Sequence, residues 1–311
     1  MKEIAIVLFE GFPLMSMTSI TEPLRVANRE SAHTLFNWQL VTETGDPVCS
    51  SSGISITPQQ SYNSDYVPDV MLVLTSYYPE KSLTPASINY VRHHASRGVL
   101  MGCVDTAAFL FAKAGLLKNR KAAVHHEGLK GIYDYYPDSV FMDQLFQFSD
   151  DFCSSAGGVA TLDLTLSLIS HFEDRKLANN VAVALNYSPN MTSRAQSSMD
   201  HDWSVARFDR KIAKAISFMQ ENIENPLPLS TIAEDCGLKN WRLRRKFKKF
   251  FGQTPARYYL DLRLENAKAF LSNSPASVGD IALRCGFSNM ESFSRAYKKR
   301  FSIQPSRDRH Y

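Results

Sequence analysis

Cysteine is scarce in this 311-residue chain: Cys49, Cys103, Cys153, Cys236 and Cys285 are odd in number, far apart and never spaced C-x-x-C. That argues against a disulfide framework and against structural zinc. Long apolar runs are missing too, since no stretch approaches the roughly 20 apolar residues that cross a bilayer. The opening MKEIAIVLFEGF has one lysine, and its apolar run breaks at Glu10, so it reads as a first strand and not as a signal peptide. Hydrophobic residues make up 44% and charged residues 21%, which excludes global disorder. A soluble, cytoplasmic protein is expected. At about 100–150 residues per domain, the length calls for two domains.

The modest net charge of +4 conceals an asymmetry. Residues 201–311 hold 21 Lys and Arg against 11 Asp and Glu, a net of +10, which leaves −6 for residues 1–200. A basic domain with a polyanionic partner is therefore expected beside a mildly acidic domain with a different task.

The first part of the chain alternates between two patterns. Apolar, β-branched runs at Ile4–Phe9, Trp38–Thr42, Val70–Thr75 and Val99–Val104 read as strands. Between and after them, Leu14–Ser31, Thr84–Arg97, Thr106–Leu117 and Thr161–Phe172 read as helices. Near-continuous apolar strands separated by helices predict an α/β domain with a parallel sheet covered on both faces, over residues 1–187. Residues 188–204 are polar, rich in Ser, Asn and Asp, and read as a linker. From 205 to 311 the pattern is helical throughout.

A repeat lies in the helical part. Ile232-Ala233 and Gly237-Leu238 recur as Ile281-Ala282 and Gly286-Phe287, an offset of 49. Leu243, Phe247, Phe251 and Pro255 then recur as Phe293, Tyr297, Phe301 and Pro305, an offset of 50. Each copy reads as a helix, a glycine turn and a second helix, the helix-turn-helix pattern. Ser277-Val-Gly-Asp280 reads as a capping box that opens the second copy. At 100° per residue, Leu243, Phe247, Phe250 and Phe251 share one face of the first copy's second helix, with Trp241, Arg245, Lys248 and Lys249 opposite. In the second copy Phe293, Tyr297 and Phe301 face inward, and Glu291, Arg295 and Lys298 face away. An exposed tryptophan among arginines is unusual on a merely solvated face and fits a helix that enters a DNA groove.

Ile281–Pro305, reading IALRCGFSNMESFSRAYKKRFSIQP, resembles the signature of AraC-type transcription regulators, and residues 230–255 resemble its first half. The resemblance implies an all-α domain with two helix-turn-helix units, 205–311, joined by a linking helix over Ala256–Leu271. It implies double-stranded DNA as partner, RNA polymerase as a further contact, and a homodimer. The implied DNA-binding residues are Trp241, Arg242, Arg244, Arg245 and Lys248, then Asn289, Glu291, Ser292, Arg295, Lys298 and Lys299. Arg245 and Arg295 are the base-edge candidates, and Lys248 and Lys298 the phosphate candidates. One departure is Ser302 where the family has glycine, as Gly252 keeps in the first copy; a slightly different turn is expected there.

Val99–Leu117, with Lys121-Ala-Ala-Val-His125, resembles the nucleophile elbow of the PfpI-like branch of the class I glutamine amidotransferase fold, a flavodoxin-like α/β architecture. Enzymes of that fold hold a reactive cysteine at the elbow, where a helix N-terminus lowers its pKa. Alignment through Ala108-Phe109 and Ala114–Leu117 places Asp105 there instead. The enzymes' glutamate is missing as well, because the matching region reads Pro13-Leu-Met-Ser-Met17. Cys103 lies inside the strand, where a cysteine behaves as a small hydrophobe. No catalytic residue, cofactor or metal is therefore expected. The competing reading, a PfpI-like thiol hydrolase with a basic nucleic-acid-binding appendage, lacks its nucleophile.

Asp105 has two readings: a cap for the helix starting at Thr106, or a ligand for a cationic group in the crevice at the strand C-termini. Regulators that join such an elbow domain to an AraC-type domain form the GlxA-like group. The wording Gly-Cys-Val-Asp-Thr resembles members that control catabolism of carnitine, glycine betaine or arginine. That implies a small cationic or zwitterionic nitrogen compound as inducer, held by Asp105 and His125, with Tyr77 and Tyr78 offering aromatic faces.

Overall fold

The computed structural model describes residues 1–31, 33–77, 79–118, 120–137, 139–188 and 209–309, without the side chains of Lys130 and Arg210. Tyr78 and all of the expected linker except Ser188 lie outside the described residues, as do 205–208. The chain divides into two units, Met1–Gln196 and Ser197–Tyr311.

The strands of the first unit are β1 (Lys2–Leu8), β2 (Phe36–Thr42), β3 (Val48–Cys49), β4 (Ser55–Ile56), β5 (Gln60–Ser61), β6 (Val70–Thr75), β7 (Leu100–Asp105), β8 (Lys121–Ala123), β9 (Val140–Met142), β10 (Phe146–Phe148) and β11 (Phe152–Ser155). Its helices are α1 (Leu14–Ser31), α2 (Pro85–Ser96), α3 (Ala108–Lys113), α4 (His126–Tyr135), α5 (Ala160–Phe172) and α6 (Arg175–Ala184). Seven strands form one sheet in the order β10-β11-β7-β6-β1-β2-β5. Every neighbouring pair is parallel except β10 with β11.

Alternation along β1 shows why both faces are covered. Ile4, Ile6 and Leu8 pack with Ile20 and Leu24 of α1, Leu164 and Leu168 of α5 and Val181 of α6. Ala5 and Val7 pack on the other side with Val91 of α2, Phe109 and Phe111 of α3 and Ile132 of α4. A strand buried on both faces must be apolar at successive positions, and β6, VMLVLT, is buried at all six. The expected parallel sheet is thus mostly parallel, with one antiparallel edge strand. Sequence patterning did not foresee β10 or β11, and it drew the helix after the elbow too long: α3 spans only Ala108–Lys113.

The second unit contains α7 (Arg210–Glu221), α8 (Leu229–Asp235), α9 (Asn240–Phe251), α10 (Pro255–Asn273), α11 (Val278–Arg284), α12 (Met290–Phe301) and α13 (Pro305–Asp308). Two small cores hold it together. Ile212, Ile216, Ile232, Leu243, Phe247 and Tyr259 form the first, and Leu264, Leu271, Ile281, Phe293 and Tyr297 the second. Helix α10 contributes Tyr259 to one and Leu264 to the other, as a linking helix should. The turns within the copies use Gly237 at φ +61° and Gly286 at φ +73°. Ser277 and Asp280 form the expected capping box. The turn after α12 is not altered by serine. Ser302 sits at φ +64°, ψ +5°, and Gly252 after α9 at φ +70°, ψ −2°, so both copies end in the same left-handed cap.

Candidate functional site

In the first unit the site grows from the C-terminal ends of the parallel strands. Asp105 ends β7 in a left-handed conformation, φ +64°, which an aspartate adopts more readily than most residues but still at a cost. It is 91% buried. Next to it, Thr106 donates through Oγ1 to the Ser76 carbonyl at 2.5 Å and shares a 3.0 Å hydrogen bond with Thr75. The elbow is thereby tied to the end of β6. Packed against it, Gly157 takes φ +88°, and a Cβ there would stand 2.8 Å from Asp105 Oδ2, so only glycine admits the carboxylate. The neighbouring Gly158 N–H donates to the fully buried Ser16 hydroxyl at 2.8 Å. Ser16 belongs to the segment in which the enzymes of this fold carry glutamate.

Asp105 does not cap a helix. Helix α3 starts at Ala108, and its N-terminus has no side-chain cap. Burial pushes the Asp105 carboxyl well above the usual carboxylate range, Glu127 pushes it further, and the Thr106 N–H opposes both. Tyr77 is 61% exposed, and partial burial, Glu127 and Asp105 together raise its phenol. Asp105, Glu127 and Tyr77 therefore feel one another's charge. His125 serves as N-cap of α4, its Nδ1 accepting the Glu127 N–H at 3.4 Å, while its own backbone N–H donates to the Asp105 carbonyl at 3.4 Å. Burial and His126 lower the His125 pKa against the pull of Glu127, so the ring is neutral near pH 7. The structure brings Asp105, His125 and Tyr77 together. Glu127, Ser16 and Gly157 were not read from the sequence: nothing in it connects a helix-start glutamate, a serine or a glycine pair to a strand end so distant along the chain.

Cys103 is 1% exposed, and burial with neighbouring Cys153 raises its thiol far above the range of a nucleophile. Cys153 is pushed up to about 12. Among the described residues no cluster of His, Cys, Asp and Glu could hold a metal.

In the second unit, the outward faces of α9 and α12 carry the basic residues. Trp241 is 52% exposed, and the guanidinium groups of Arg242 and Arg245 lie 5.2 and 5.3 Å from its ring centroid. Arg244, Lys248 and Lys249 are exposed beside it, with Lys248 Nζ donating to the Gly252 carbonyl at 2.8 Å. On α12, Arg295 meets Glu291 at 3.3 Å, with side chains 75% and 82% exposed. With Lys298 and Lys299 they line a surface hollow of about 640 Å³. Asn289 and Ser292 are occupied differently: Asn289 Oδ1 accepts the Ser292 N–H at 2.8 Å as N-cap, and Ser292 Oγ donates back to the Asn289 carbonyl at 2.9 Å.

A doubly covered α/β domain, followed by two helix-turn-helix units with basic outer faces, defines a DNA-binding regulator. The comparisons agree. Residues 223–311 match a helix-turn-helix domain family. The HTH-type transcriptional regulator CdhR of Pseudomonas aeruginosa is 33% identical, covering 97% of this chain and 90% of its own. The HTH-type transcriptional regulator GlxA of Rhizobium meliloti is 29% identical, covering 98% and 94%. An AraC family transcriptional regulator from Pseudomonas putida overlies 60% of this chain with all of its own, at TM-score 0.53 and 22% identity. A DJ-1 superfamily protein from Salmonella typhimurium does the same at 0.52 and 19%, a likeness of fold alone. This chain belongs to the AraC-type HTH transcriptional regulators, and its N-terminal domain has a DJ-1/PfpI-like fold.

Proposed function

We propose that the α/β domain, residues 1–187, is a sensor for a small cationic or zwitterionic nitrogen compound, and that α9 and α12 read DNA. The observation that carries the sensor reading is Asp105, a buried carboxyl at the elbow with Glu127 and the aromatic Tyr77 around it. A carboxyl whose ionisation burial disfavours becomes a strong partner once an ammonium or quaternary ammonium arrives, because the pair then neutralises itself. A cation binds the ionised carboxyl better, so affinity rises as pH rises through the raised pKa of Asp105. Tyr77 supplies a ring face for an alkylated nitrogen. Thermal-shift screening of amines, betaines and amino acids against the full-length protein tests this reading. A ligand at 100 times its dissociation constant adds about 2.7 kcal/mol. If only compounds without a cationic nitrogen shift the transition, the reading fails.

For the reader, Trp241, Arg242, Arg244, Arg245 and Lys248 of one head and Glu291, Arg295, Lys298 and Lys299 of the other face the duplex. Two heads on one chain enter successive major grooves, about 10 base pairs apart. Arg295→Ala should lose discrimination at particular bases, worth about 1–3 kcal/mol. Lys298→Ala should weaken all sequences alike and flatten the salt dependence. Identical specificity profiles for the two variants would refute this division. A homodimer in the cytoplasm, with RNA polymerase as a further contact, completes the reading.

A further inference from the structure

The repeat superposes the two DNA-facing helices residue by residue, and the offset of 50 pairs Arg245 with Arg295, Lys248 with Lys298 and Lys249 with Lys299. The exposed position one turn before the arginine breaks the correspondence, with Trp241 in the first head and Glu291 in the second. In both heads the arginine leans on that residue. Arg245 lies 5.3 Å from the Trp241 ring centroid, and Arg295 lies 3.3 Å from the Glu291 carboxylate. Helix α9 holds six Lys and Arg and no acid among its twelve residues, whereas α12 places a carboxylate at its second position. A glutamate in the first turn suits the helix dipole, and a pairing four residues ahead of an arginine adds a few tenths of a kcal/mol in an isolated helix. On a face turned toward phosphates, however, the same charge opposes binding to every sequence.

We propose that Glu291 is a specificity residue that accepts a hydrogen bond from the exocyclic amine of a cytosine next to the base read by Arg295. The inference rests on the reading of α12 as a DNA-facing helix. A carboxylate in the major groove has one good partner, the N4 donor of cytosine, whereas every other base edge there presents acceptors to it or a donor flanked by one. Four residues rise about 6 Å along a helix, and the two side-chain tips converge to 3.3 Å, within reach of neighbouring base pairs about 3.4 Å apart. Trp241 offers an apolar face at the corresponding place of the other half-site. The two half-sites therefore share the base read by arginine and differ at the base beside it, which gives the operator a direction.

The test is selection from a randomised double-stranded DNA library by the full-length protein, followed by binding measurements on the selected duplex and on an unrelated one. Wild type should select cytosine at one position of a single half-site. Glu291→Ala should lower that preference by about tenfold while leaving the Arg295 position intact. Glu291→Gln should shift it toward adenine, whose N6 and N7 suit a carboxamide. Both variants should bind the unrelated duplex about two- to fivefold more tightly at low salt, since a repelling charge is gone. An unchanged cytosine preference in Glu291→Ala overturns the proposal. So does a loss confined to the base that Arg295→Ala also loses, which would make Glu291 a positioning residue for Arg295. If Arg295→Ala and Lys298→Ala both leave binding untouched, α12 does not face the duplex, and the underlying reading falls as well.

Discussion

Asp105 and Ser302 are two of the three non-glycine residues in left-handed backbone among the described residues, with almost identical φ angles of +64°. Their surroundings differ completely. Asp105 is buried, packed against Gly157 and raised in pKa by desolvation and Glu127. Ser302 is exposed at a helix end, in a turn that Gly252 makes equally well in the other copy. The same local strain thus serves a crowded, electrostatically tuned corner in one case and a plain chain reversal in the other. Strain marks function only where the surroundings exploit it.

The largest effect should come from closing the space beside Asp105. Gly157→Ala puts a methyl 2.8 Å from the Asp105 carboxylate and forces alanine into φ +88°. Left-handed strain of about 1–2 kcal/mol and overpacking of about 1–3 kcal/mol should together cost about 2–5 kcal/mol. Gly158→Ala is the control, because its Cβ meets nothing within 4 Å and only the backbone term remains. Urea unfolding of both variants checks the difference. Equal losses would show that the corner at Asp105 is no more crowded than an ordinary turn.

Next in size is the charge itself. Asp105→Asn keeps shape and tolerates the left-handed backbone at least as well as aspartate, but it cannot ionise. Affinity for a cationic inducer should fall about 10- to 150-fold, the loss of a charge-assisted contact worth about 1.5–3 kcal/mol. Stability should move the other way. A folded pKa above the unfolded value means that the protonated form favours folding. That contribution is fully present below the unfolded pKa and is lost as pH rises through the folded one. The Asp105→Asn variant has no such loss, so its melting-temperature advantage should grow with pH and vanish at acid pH. Titration calorimetry with the identified inducer, and melting curves from about pH 4 to 9, measure the two halves separately. Equal inducer affinities would move the ligand site away from the elbow.

The contrast between the two units also explains which parts were readable in the sequence. The exposed basic side follows from helical periodicity: Leu243 and Phe247 must be inside, so Trp241, Arg245 and Lys248 are outside. Two copies confirm each other, and even the capping box at Ser277 could be placed. In the α/β unit, β1, β6 and β7 announce themselves as apolar runs because both of their faces are covered. The short β11, FCSS, does not, although all four of its residues are buried beside β7. Asp105 was visible through the motif around it. Glu127 and Gly157 were not, because a crevice at strand ends is assembled from segments whose proximity depends on strand order, and strand order leaves no local pattern in the chain. The helix-cap reading of Asp105 failed for a related reason: α3 starts three residues after it, so the aspartate closes the strand and does not open the helix.

The smallest effect belongs to Ser302. Its exposed left-handed cap differs from that of Gly252 only in carrying a side chain, and the hydrogen bond from its N–H to the Lys298 carbonyl, at 2.8 Å, matches Gly252 to Lys248 at 3.1 Å. Ser302→Gly removes about 1–2 kcal/mol of backbone strain, and the greater freedom of glycine in the unfolded chain offsets about half of it. A gain of about 0.5–1 kcal/mol is expected, and Gly252→Ser should lose a comparable amount. Calorimetry of the full chain, read in the transition of the helical unit, resolves changes of that size. Because the two turns are equivalent, the double variant that exchanges the residues should unfold near the wild-type temperature. A Ser302→Gly protein no more stable than wild type would mean that the serine hydroxyl offsets the strain in its own turn. The two left-handed corners would then be alike in having a compensating contact, and the difference between them would reduce to burial.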